Sequence, residues 1–305
     1  MKVKELICML CEQKSYAGFV NSLKDDNSRF AYRCQLCGLI QISPLPTKED
    51  DENYYKSNEI IRSLVSEAEM SDEEVRLKYR PMGIKQAKRI KKLLEIKQDT
   101  KILEIGSGYG CFIEEMHKDG YDTDGIELST EKCEQLRERT GIEMKSYNIM
   151  SNNEELEQNA NKYDIICSHN TFEHIIEPNL FLKRIRRLMK SNGIIYIEVP
   201  NINGLLRQLS KPYDDFCFFR GHVSYYSPET LTYALQKNGF SDIKILGSQM
   251  YSLENAINWI NNGVPIKLHM QLDLPEGLEF ADEYFKDHVE SRLISESIIG
   301  IAKKC

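Results

Sequence analysis

Three glycines and one carboxylate give the clearest sign of chemistry in the sequence. Gly106, Gly108 and Gly110 follow a short apolar run at residues 101–105, and an apolar-periodic segment comes next. This order predicts a buried strand, a tight turn and the start of a helix whose free N–H groups point into the turn. A second short strand ends about twenty residues later at Glu127, and an acidic side chain there suits the two hydroxyls of a ribose. The sequence therefore predicts a site for an adenosine-type cofactor.

The spacing of the glycines narrows the choice of cofactor. In the dinucleotide fingerprint G-x-G-x-x-G the third glycine would fall at position 111, where this chain has Cys111. The phosphate loop G-x-x-x-x-G-K-[ST] is also missing from the sequence. The observed G-x-G-x-G, preceded by Glu104, resembles motif I of the class I S-adenosylmethionine-dependent methyltransferases. The alternatives are NAD binding and a strand–helix turn that carries no ligand.

This resemblance implies a set of cofactor-binding residues. The glycine turn, with Ser107 inside it, would pass beside the methionine part, Glu127 would take the ribose, and Glu104 would help to order the amino group. Asn148 follows the third strand, where this fold usually meets the adenine, and His169 lies at the carboxyl end of the fourth strand. The full set is Glu104, Gly106, Ser107, Gly108, Gly110, Glu127, Leu128, Asn148 and His169.

Two C-x-x-C pairs near the amino terminus could hold a metal ion. They are Cys8 with Cys11 and Cys34 with Cys37. Four thiolates presented in two tight turns fit tetrahedral zinc, with Zn–S bonds of about 2.3 Å. Because the protein would fill all four positions, such a zinc would be structural and would fold a segment too small to build its own core. The alternatives are a pair of redox-active dithiols and coincidence.

The order of motifs along the chain supports a narrower resemblance. Both C-x-x-C pairs, the second followed by G-L, precede a P-x-P, the pair Tyr54-Tyr55 and motif I. The same order is typical of bacterial zinc-ribbon methyltransferases, which this chain resembles and whose best-understood members are C-methyltransferases of nucleotide-linked ketodeoxysugars. It implies a zinc ribbon at 1–46, a helical lid at 47–97 and a cofactor-binding domain at 98–305. The two tyrosines would face substrate or cofactor from the lid, or they are ordinary packing residues.

Strand and helix patterns alternate in the carboxyl two thirds of the chain and predict an α/β fold with a parallel sheet. The resemblance makes this a Rossmann-like sheet of seven strands, in which the last strand, at residues 297–303, inserts antiparallel. The alternation is interrupted by inserts near 201–221 and 251–290.

Methyl transfer requires that the acceptor lose a proton, so a general base is the residue type to look for. His222 is the first candidate, because it precedes Tyr225 in the order G-H-x-x-Y-Y-S. In the ketosugar enzymes, a His and a neighbouring Tyr of a corresponding H-x-x-Y-F-S segment lie at the substrate. Their upstream second His is missing here, and Phe219-Arg220 stands in its place. His174, in an E-H pair near the sulfonium end of the fold, is the second candidate, or it only buttresses the loop.

Composition limits the partners and the compartment. With 41% hydrophobic and 29% charged residues, the chain has the composition of an ordinary globular protein. A net charge of −7 weighs against nucleic acid as the main partner. No run approaches the roughly eighteen apolar residues that a membrane span needs. Nine cysteines without an export signal predict reduced thiols in the cytosol.

Together these patterns predict a cytoplasmic S-adenosylmethionine-dependent methyltransferase with a structural zinc. Its substrate would be a small molecule such as a sugar nucleotide or a glycan precursor, within carbohydrate biosynthesis. The alternatives are a binding protein that keeps the methyltransferase fold without activity and a zinc-ribbon enzyme that modifies nucleic acid. The sequence leaves open whether carbon, nitrogen or oxygen is methylated, and it leaves the oligomeric state open.

Overall fold

The structure is a computed structural model that describes residues 6–14, 16–17, 22–47, 49, 70–151, 153–265 and 279–305. The strands are β1 (Tyr16–Ala17), β2 (Phe30–Cys34), β3 (Ile40–Ser43), β4 (Lys101–Ile105), β5 (Asp122–Glu127), β6 (Glu143–Ser146), β7 (Tyr163–His169), β8 (Met189–Pro200), β9 (Ser224–Tyr225), β10 (Phe240–Ser248) and β11 (Ser297–Lys304). The helices are α1 (Asp72–Leu94), α2 (Cys111–Lys118), α3 (Thr130–Thr140), α4 (Asn153–Gln158), α5 (Pro178–Leu188), α6 (Leu205–Leu209), α7 (Lys211–Cys217), α8 (Pro228–Lys237), α9 (Leu253–Asn262) and α10 (Glu279–Ser291), with a 3₁₀ turn at Phe172–His174. Tyr54 and Tyr55 of the predicted lid lie outside the described residues.

The central sheet has seven strands in the order β10-β11-β8-β7-β4-β5-β6. The strands from β4 to β8 pair in parallel, whereas β11 runs antiparallel to both β8 and β10. The sheet therefore confirms the predicted Rossmann-like α/β fold with an antiparallel last strand. Residues 102–105 of β4 are all buried, as expected for a central parallel strand that is covered on both faces.

Helix α1 corrects an expectation drawn from two helix breakers. In the sequence, Pro81 and Gly83 predict a break in the helical segment before β4. The helix nevertheless runs through both residues, from a capping box at Ser71 and Glu74 to Leu94. Pro81 and Leu77, whose carbonyl has no partner at residue 81, both lie on the exposed side of the helix, where the helix tolerates the lost hydrogen bond. A Cβ at Gly83 would lie 2.7 Å from the Cβ of Cys111 and closer still to its carbonyl group. The glycine therefore permits close packing of α1 on α2.

We expect the substitution Gly83→Ala to destabilise the protein. Alanine favours a helix over glycine by roughly 1 kcal/mol, but the added methyl group overlaps the backbone of Cys111, which cannot move away cheaply. The overlap should prevail and lower the free energy of unfolding by about 1–3 kcal/mol, as measured by urea denaturation. Lys88→Ala, at an exposed position of the same helix, is the control and should change stability little. A Gly83→Ala variant more stable than the parent would contradict this packing argument.

A second sheet of four strands has the order β1-β2-β3-β9. Its first three strands come from the amino-terminal segment, whereas β9 comes from the distant stretch that follows the insert near 201–221. Leu10 and Leu39 of the amino-terminal segment belong to the same buried cluster as Tyr226, which follows β9. The amino-terminal segment therefore packs directly on the carboxyl half of the chain.

The two inserts are built from short helices. α6 and α7 occupy the insert near 201–221, and α9 and α10 lie on either side of residues 266–278, which are outside the described part of the chain. Within the described part, none of the helices combines the length and the apolar character that crossing a membrane would require.

Candidate functional site

The glycine turn lies at the carboxyl end of β4. Gly106 and Gly108 have φ angles of 76° and 54°, in the left-handed region that favours glycine. The amide of Gly106 donates to the carbonyl of Ile126 at 2.8 Å, which ties the turn to the end of β5. A Cβ at Gly106 would lie 2.9 Å from Cγ2 of Thr171, whereas a Cβ at Gly108 would meet no heavy atom within 4 Å. The turn is therefore packed from below and open at Gly108.

Glu127 closes the other side of this turn. One carboxylate oxygen accepts a hydrogen bond from the amide of Gly108 at 2.9 Å, and the other accepts from the amide of Ser129 at 3.0 Å. Leu128 beside it is 40% exposed, so its side chain offers an apolar surface at the mouth of the turn. Asn148 lies beyond β6 and accepts from the amide of Met150 at 2.8 Å. The predicted cofactor residues thus follow the carboxyl ends of β4, β5 and β6.

Glu104 and His169 form a buried pair beneath the turn. The Nδ1 atom of His169 lies 3.0 Å from one carboxylate oxygen of Glu104. The second oxygen is buried and has no hydrogen-bond partner among the described residues. Burial raises the pKa of Glu104, and the hydrogen bond from His169 opposes that rise. The His169 ring packs between Phe112 and Tyr196, at centroid distances of 4.5 and 5.5 Å. Both residues therefore support the turn from inside the fold.

His174 and His222, which the sequence offers as separate candidates, meet in one cluster. The 3₁₀ turn after β7 carries His174, the loop before β9 carries His222, and the two ring centroids are 4.9 Å apart. The Nε2 atom of each ring lies 3.8 Å from the same carboxylate oxygen of Glu173. Sequence reasoning did not select Glu173 as a site residue, although the E-H pair contained the signal.

Burial sets the charge of this cluster. Glu173 is 1% exposed, and neither of its carboxylate oxygens has a hydrogen-bond partner among the described residues. Desolvation raises the pKa of Glu173 to about 8, lowers the pKa of His174 to about 4, and lowers the pKa of His222 well below its ordinary value. At neutral pH the cluster therefore holds two neutral imidazoles and a protonated carboxyl group.

The tautomer of His174 follows from its partner. Its Nδ1 lies 2.6 Å from the carbonyl oxygen of Gly221, which can only accept, so Nδ1 carries the proton and donates it. Nε2 of the ring faces the carboxyl group of Glu173, and the backbone of Asn170 makes a further hydrogen bond to the ring. The ligand atoms of Glu173, His174 and His222 all lie within 4.8 Å of one another, so this donor set could also bind a metal ion.

Tyr225 supports the cluster from within the protein. Its ring contacts His222 edge-to-face at a centroid distance of 5.8 Å, and its hydroxyl donates to the carbonyl of Phe219 at 3.4 Å. The side chain is 2% exposed, and burial raises the pKa of the phenol far above its ordinary value. Because its hydroxyl is bonded inside the protein, Tyr225 is better placed to orient His222 than to contact a bound acceptor.

The four cysteines of the two C-x-x-C pairs come together in one cluster. The sulfur atoms of Cys8 and Cys37 are 3.5 Å apart, as are those of Cys11 and Cys34, and all four lie within 4.8 Å of one another. Tetrahedral zinc with Zn–S bonds of about 2.3 Å would place its sulfur ligands about 3.8 Å apart, so the donor set fits this ion. The hydrogen bond from Cys37 lowers the pKa of Cys8 to about 5 and raises the pKa of Cys37, and burial raises the pKa of Cys11 to about 11.

Comparison with known proteins gives a consistent family and fold. A family model described as "Methyltransferase domain" matches residues 77–245. The mitochondrial ubiquinone biosynthesis O-methyltransferase of Homo sapiens is 25% identical over 173 residues, which are 53% of this chain and 47% of the human protein. The chain spans about half of the length of the curated relatives it matches.

Two solved structures show the same fold at low identity. One is a SAM-dependent methyltransferase, possibly a histamine N-methyltransferase, from Thermotoga maritima, with a TM-score of 0.53, 16% identity, and coverage of 83% of this chain and 98% of that one. The other is phosphoethanolamine N-methyltransferase 2 of Haemonchus contortus in complex with S-adenosyl-L-methionine. Its TM-score is 0.54 at 16% identity, covering 87% of this chain and 62% of that one.

Proposed function

The chain belongs to the methyltransferase-domain family, whose model covers more than half of its residues, and we propose that it is an S-adenosylmethionine-dependent methyltransferase acting on a small molecule. One observation carries the proposal. The glycine turn at the end of β4 is open at Gly108, and the carboxylate of Glu127 lies directly beside it. Room for a ligand beside the turn and an acidic side chain at the end of the next strand are what an adenosine-type cofactor needs.

The histidine cluster supports the second half of the reaction. S-Adenosylmethionine, when bound, supplies an electrophilic methyl group and a neutral leaving group. The chain must therefore hold the acceptor in line and remove its proton. In our proposal, the neutral imidazole of His222 accepts that proton through Nε2. The carboxyl group of Glu173, 3.8 Å away, releases its own proton to solvent in this step, and the carboxylate that remains stabilises the imidazolium of His222.

His174 has a supporting part in this scheme. Its hydrogen bond to the carbonyl of Gly221 holds the residue next to His222 in place. Its Nε2 atom faces the same carboxyl oxygen of Glu173 that His222 faces. His174 thereby fixes the backbone of the loop beside His222.

Two further proposals concern the metal ion and the methyl acceptor. The four clustered cysteines hold a structural zinc, and the acceptor is a sugar nucleotide or glycan precursor, as the resemblance of the G-H-x-x-Y-Y-S segment to ketosugar enzymes suggests. A hydroxyl group of a ubiquinone precursor is the second candidate, because the relative from Homo sapiens is a ubiquinone biosynthesis O-methyltransferase.

Calorimetry with S-adenosylmethionine and S-adenosylhomocysteine tests the proposal. The protein should bind both ligands, and Glu127→Gln should weaken each at least tenfold, because the variant loses a charged hydrogen-bond acceptor beside the turn. Glu131→Gln, at an exposed position in the first turn of α3, keeps the same change of charge away from the pocket and should bind normally. The proposal fails if the parent protein takes up neither ligand.

A further inference from the structure

We infer that the four-cysteine cluster positions His222, and that Gln41 is the residue through which it does so. The inference rests on the proposed function for the meaning of His222, but the contacts that carry it do not depend on that function. It makes the amino-terminal segment part of the acceptor side of the site, whereas the cofactor side is held by other contacts.

Gln41 ties the first cysteine pair to β3. Its side chain is 1% exposed, its Oε1 accepts from the amide of Met9 at 2.9 Å, and its Nε2 donates to the carbonyl of Ile7 at 3.3 Å. These two backbone groups flank Cys8, so the side-chain amide of Gln41 binds the chain on both sides of this proposed metal ligand. Without the Gln41 side chain, both backbone groups would lose their hydrogen-bond partner, which would loosen the segment around Cys8.

The second cysteine pair fixes where β3 begins. The amide of Cys34 donates to the carbonyl of Leu39 at 2.8 Å, and the amide of Gly38 donates to the carbonyl of Cys34 at 3.0 Å. This closed turn carries Cys37 and leads directly into β3. Both ends of the cysteine cluster thus converge on one strand of four residues.

β3 in turn holds the residues that follow His222. Gln41 pairs with Ser224 across the sheet, and the amide of Ile42 donates to the carbonyl of Val223 at 3.1 Å. β9 has only two residues, and a pairing this short is not stable without a neighbour that is itself held in place. The backbone after His222 therefore depends on the position of β3.

The opposite side of the same loop contacts the rest of the cluster. The hydroxyl of Ser224 donates to the carbonyl of Glu173 at 3.3 Å, and Nδ1 of His174 donates to the carbonyl of Gly221. The loop is clamped between β3 on one side and the 3₁₀ turn on the other. Loss of the β3 contact should release His222 from the fixed distance that it keeps to Glu173.

The cofactor turn shares an apolar core with the cysteines, through Leu103 and Ile126, but its hydrogen bonds are made elsewhere. The amides of Gly106 and Ser107 donate to the carbonyl of Ile126, and that of Gly108 donates to Glu127. These contacts join β4 to β5 and include no residue of the amino-terminal segment. Loss of the cysteine cluster should therefore leave S-adenosylmethionine affinity nearly unchanged.

The substitution Gln41→Met tests the link, because methionine keeps the volume of the side chain and removes both hydrogen bonds. Hydrogen exchange at residues 223–226 should speed up at least tenfold in the variant, and the imidazole nitrogen resonances of His222 and His174 should shift. The resonances of His117, which bonds Thr123 on the cofactor half, should stay in place. Leu36→Ala, at a 65% exposed position between the cysteines of the second pair, is the control and should behave like the parent.

Stripping the metal from the parent protein with a chelator under reducing conditions provides an independent second arm. It should reproduce the faster exchange at residues 223–226 and the same imidazole shifts, with S-adenosylmethionine affinity within twofold of the untreated protein. Faster exchange confined to residues 6–43, with unshifted His222 resonances, would overturn the inference. A protein that binds no S-adenosylmethionine at all would contradict the proposed function. The exchange data would still decide whether Gln41 connects the cysteine cluster to His222.

Discussion

Replacing Gly106 by valine should abolish S-adenosylmethionine binding, with a loss of affinity of at least 100-fold by calorimetry. Two effects combine at this position. The backbone has a φ of 76°, which β-branched residues rarely adopt. A Cβ would also lie 2.9 Å from Cγ2 of Thr171 and closer still to its hydroxyl oxygen. Thr171 follows β7, so the turn must move away from β7 and lose its shape.

A control variant separates the effect of the left-handed backbone from the effect of the steric overlap with Thr171. Gly141 has a φ of 77° at the end of α3, and a Cβ there would meet no atom within 4 Å. Gly141→Val should therefore lose about 1–2 kcal/mol of stability to the left-handed backbone, with normal cofactor affinity. In the milder variant Gly106→Ala, a second change, Thr171→Ala, removes the overlapping atoms and should restore part of the binding. Gly106→Val with affinity within tenfold of the parent would refute the assignment of this turn as the cofactor site.

His222→Gln should depress methyl transfer by about 10²–10⁴-fold, the range that a positioned general base usually contributes. The neutral ring of His222 faces the carboxyl group of Glu173, and a glutamine cannot accept the proton of the acceptor. Affinity for S-adenosylmethionine should stay within twofold, because the cofactor turn is held by contacts of β5. The measurement is the rate of S-adenosylhomocysteine formation with candidate sugar nucleotides and ubiquinone precursors as acceptors.

Two further variants test this prediction, one as a control and one with a smaller expected effect. His117→Gln, remote from the cluster and bonded to Thr123, should retain full activity. Glu173→Gln should lower the rate by less than His222→Gln, since it removes only the group that stabilises the charged imidazole. A fully active His222→Gln enzyme would transfer the role of base to another residue and leave His222 as a packing group.

The cofactor side of the site could be predicted because its parts are close in sequence. Gly106, Glu127 and the strands that carry them form one local strand–turn–helix–strand unit, and each element has its own pattern. The cluster of the two cysteine pairs could also be predicted, since two C-x-x-C pairs are typical of a site with four thiolate ligands. The antiparallel last strand followed from the resemblance and is present in the structure.

The acceptor side could not be predicted in the same way. Glu173 and His222 lie on segments far apart in sequence, so no local pattern shows that they meet. β9 has two residues, too few for any periodicity, and it pairs with a strand near the other end of the chain. In helix α1 the local pattern predicted a break that the structure does not have. Proline and glycine usually end helices, and the sequence does not show that Pro81 is exposed or that Gly83 packs against Cys111.

The joining of β9 to β3 bears on how this protein is made. The first three strands of the second sheet leave the ribosome early, whereas their fourth member follows only after most of the central sheet has been synthesised. Until then β3 presents unpaired backbone groups, the kind of surface that invites pairing with another chain. We therefore expect fragments that end before residue 224 to depend on chaperones or to aggregate, even though their metal ligands are all present.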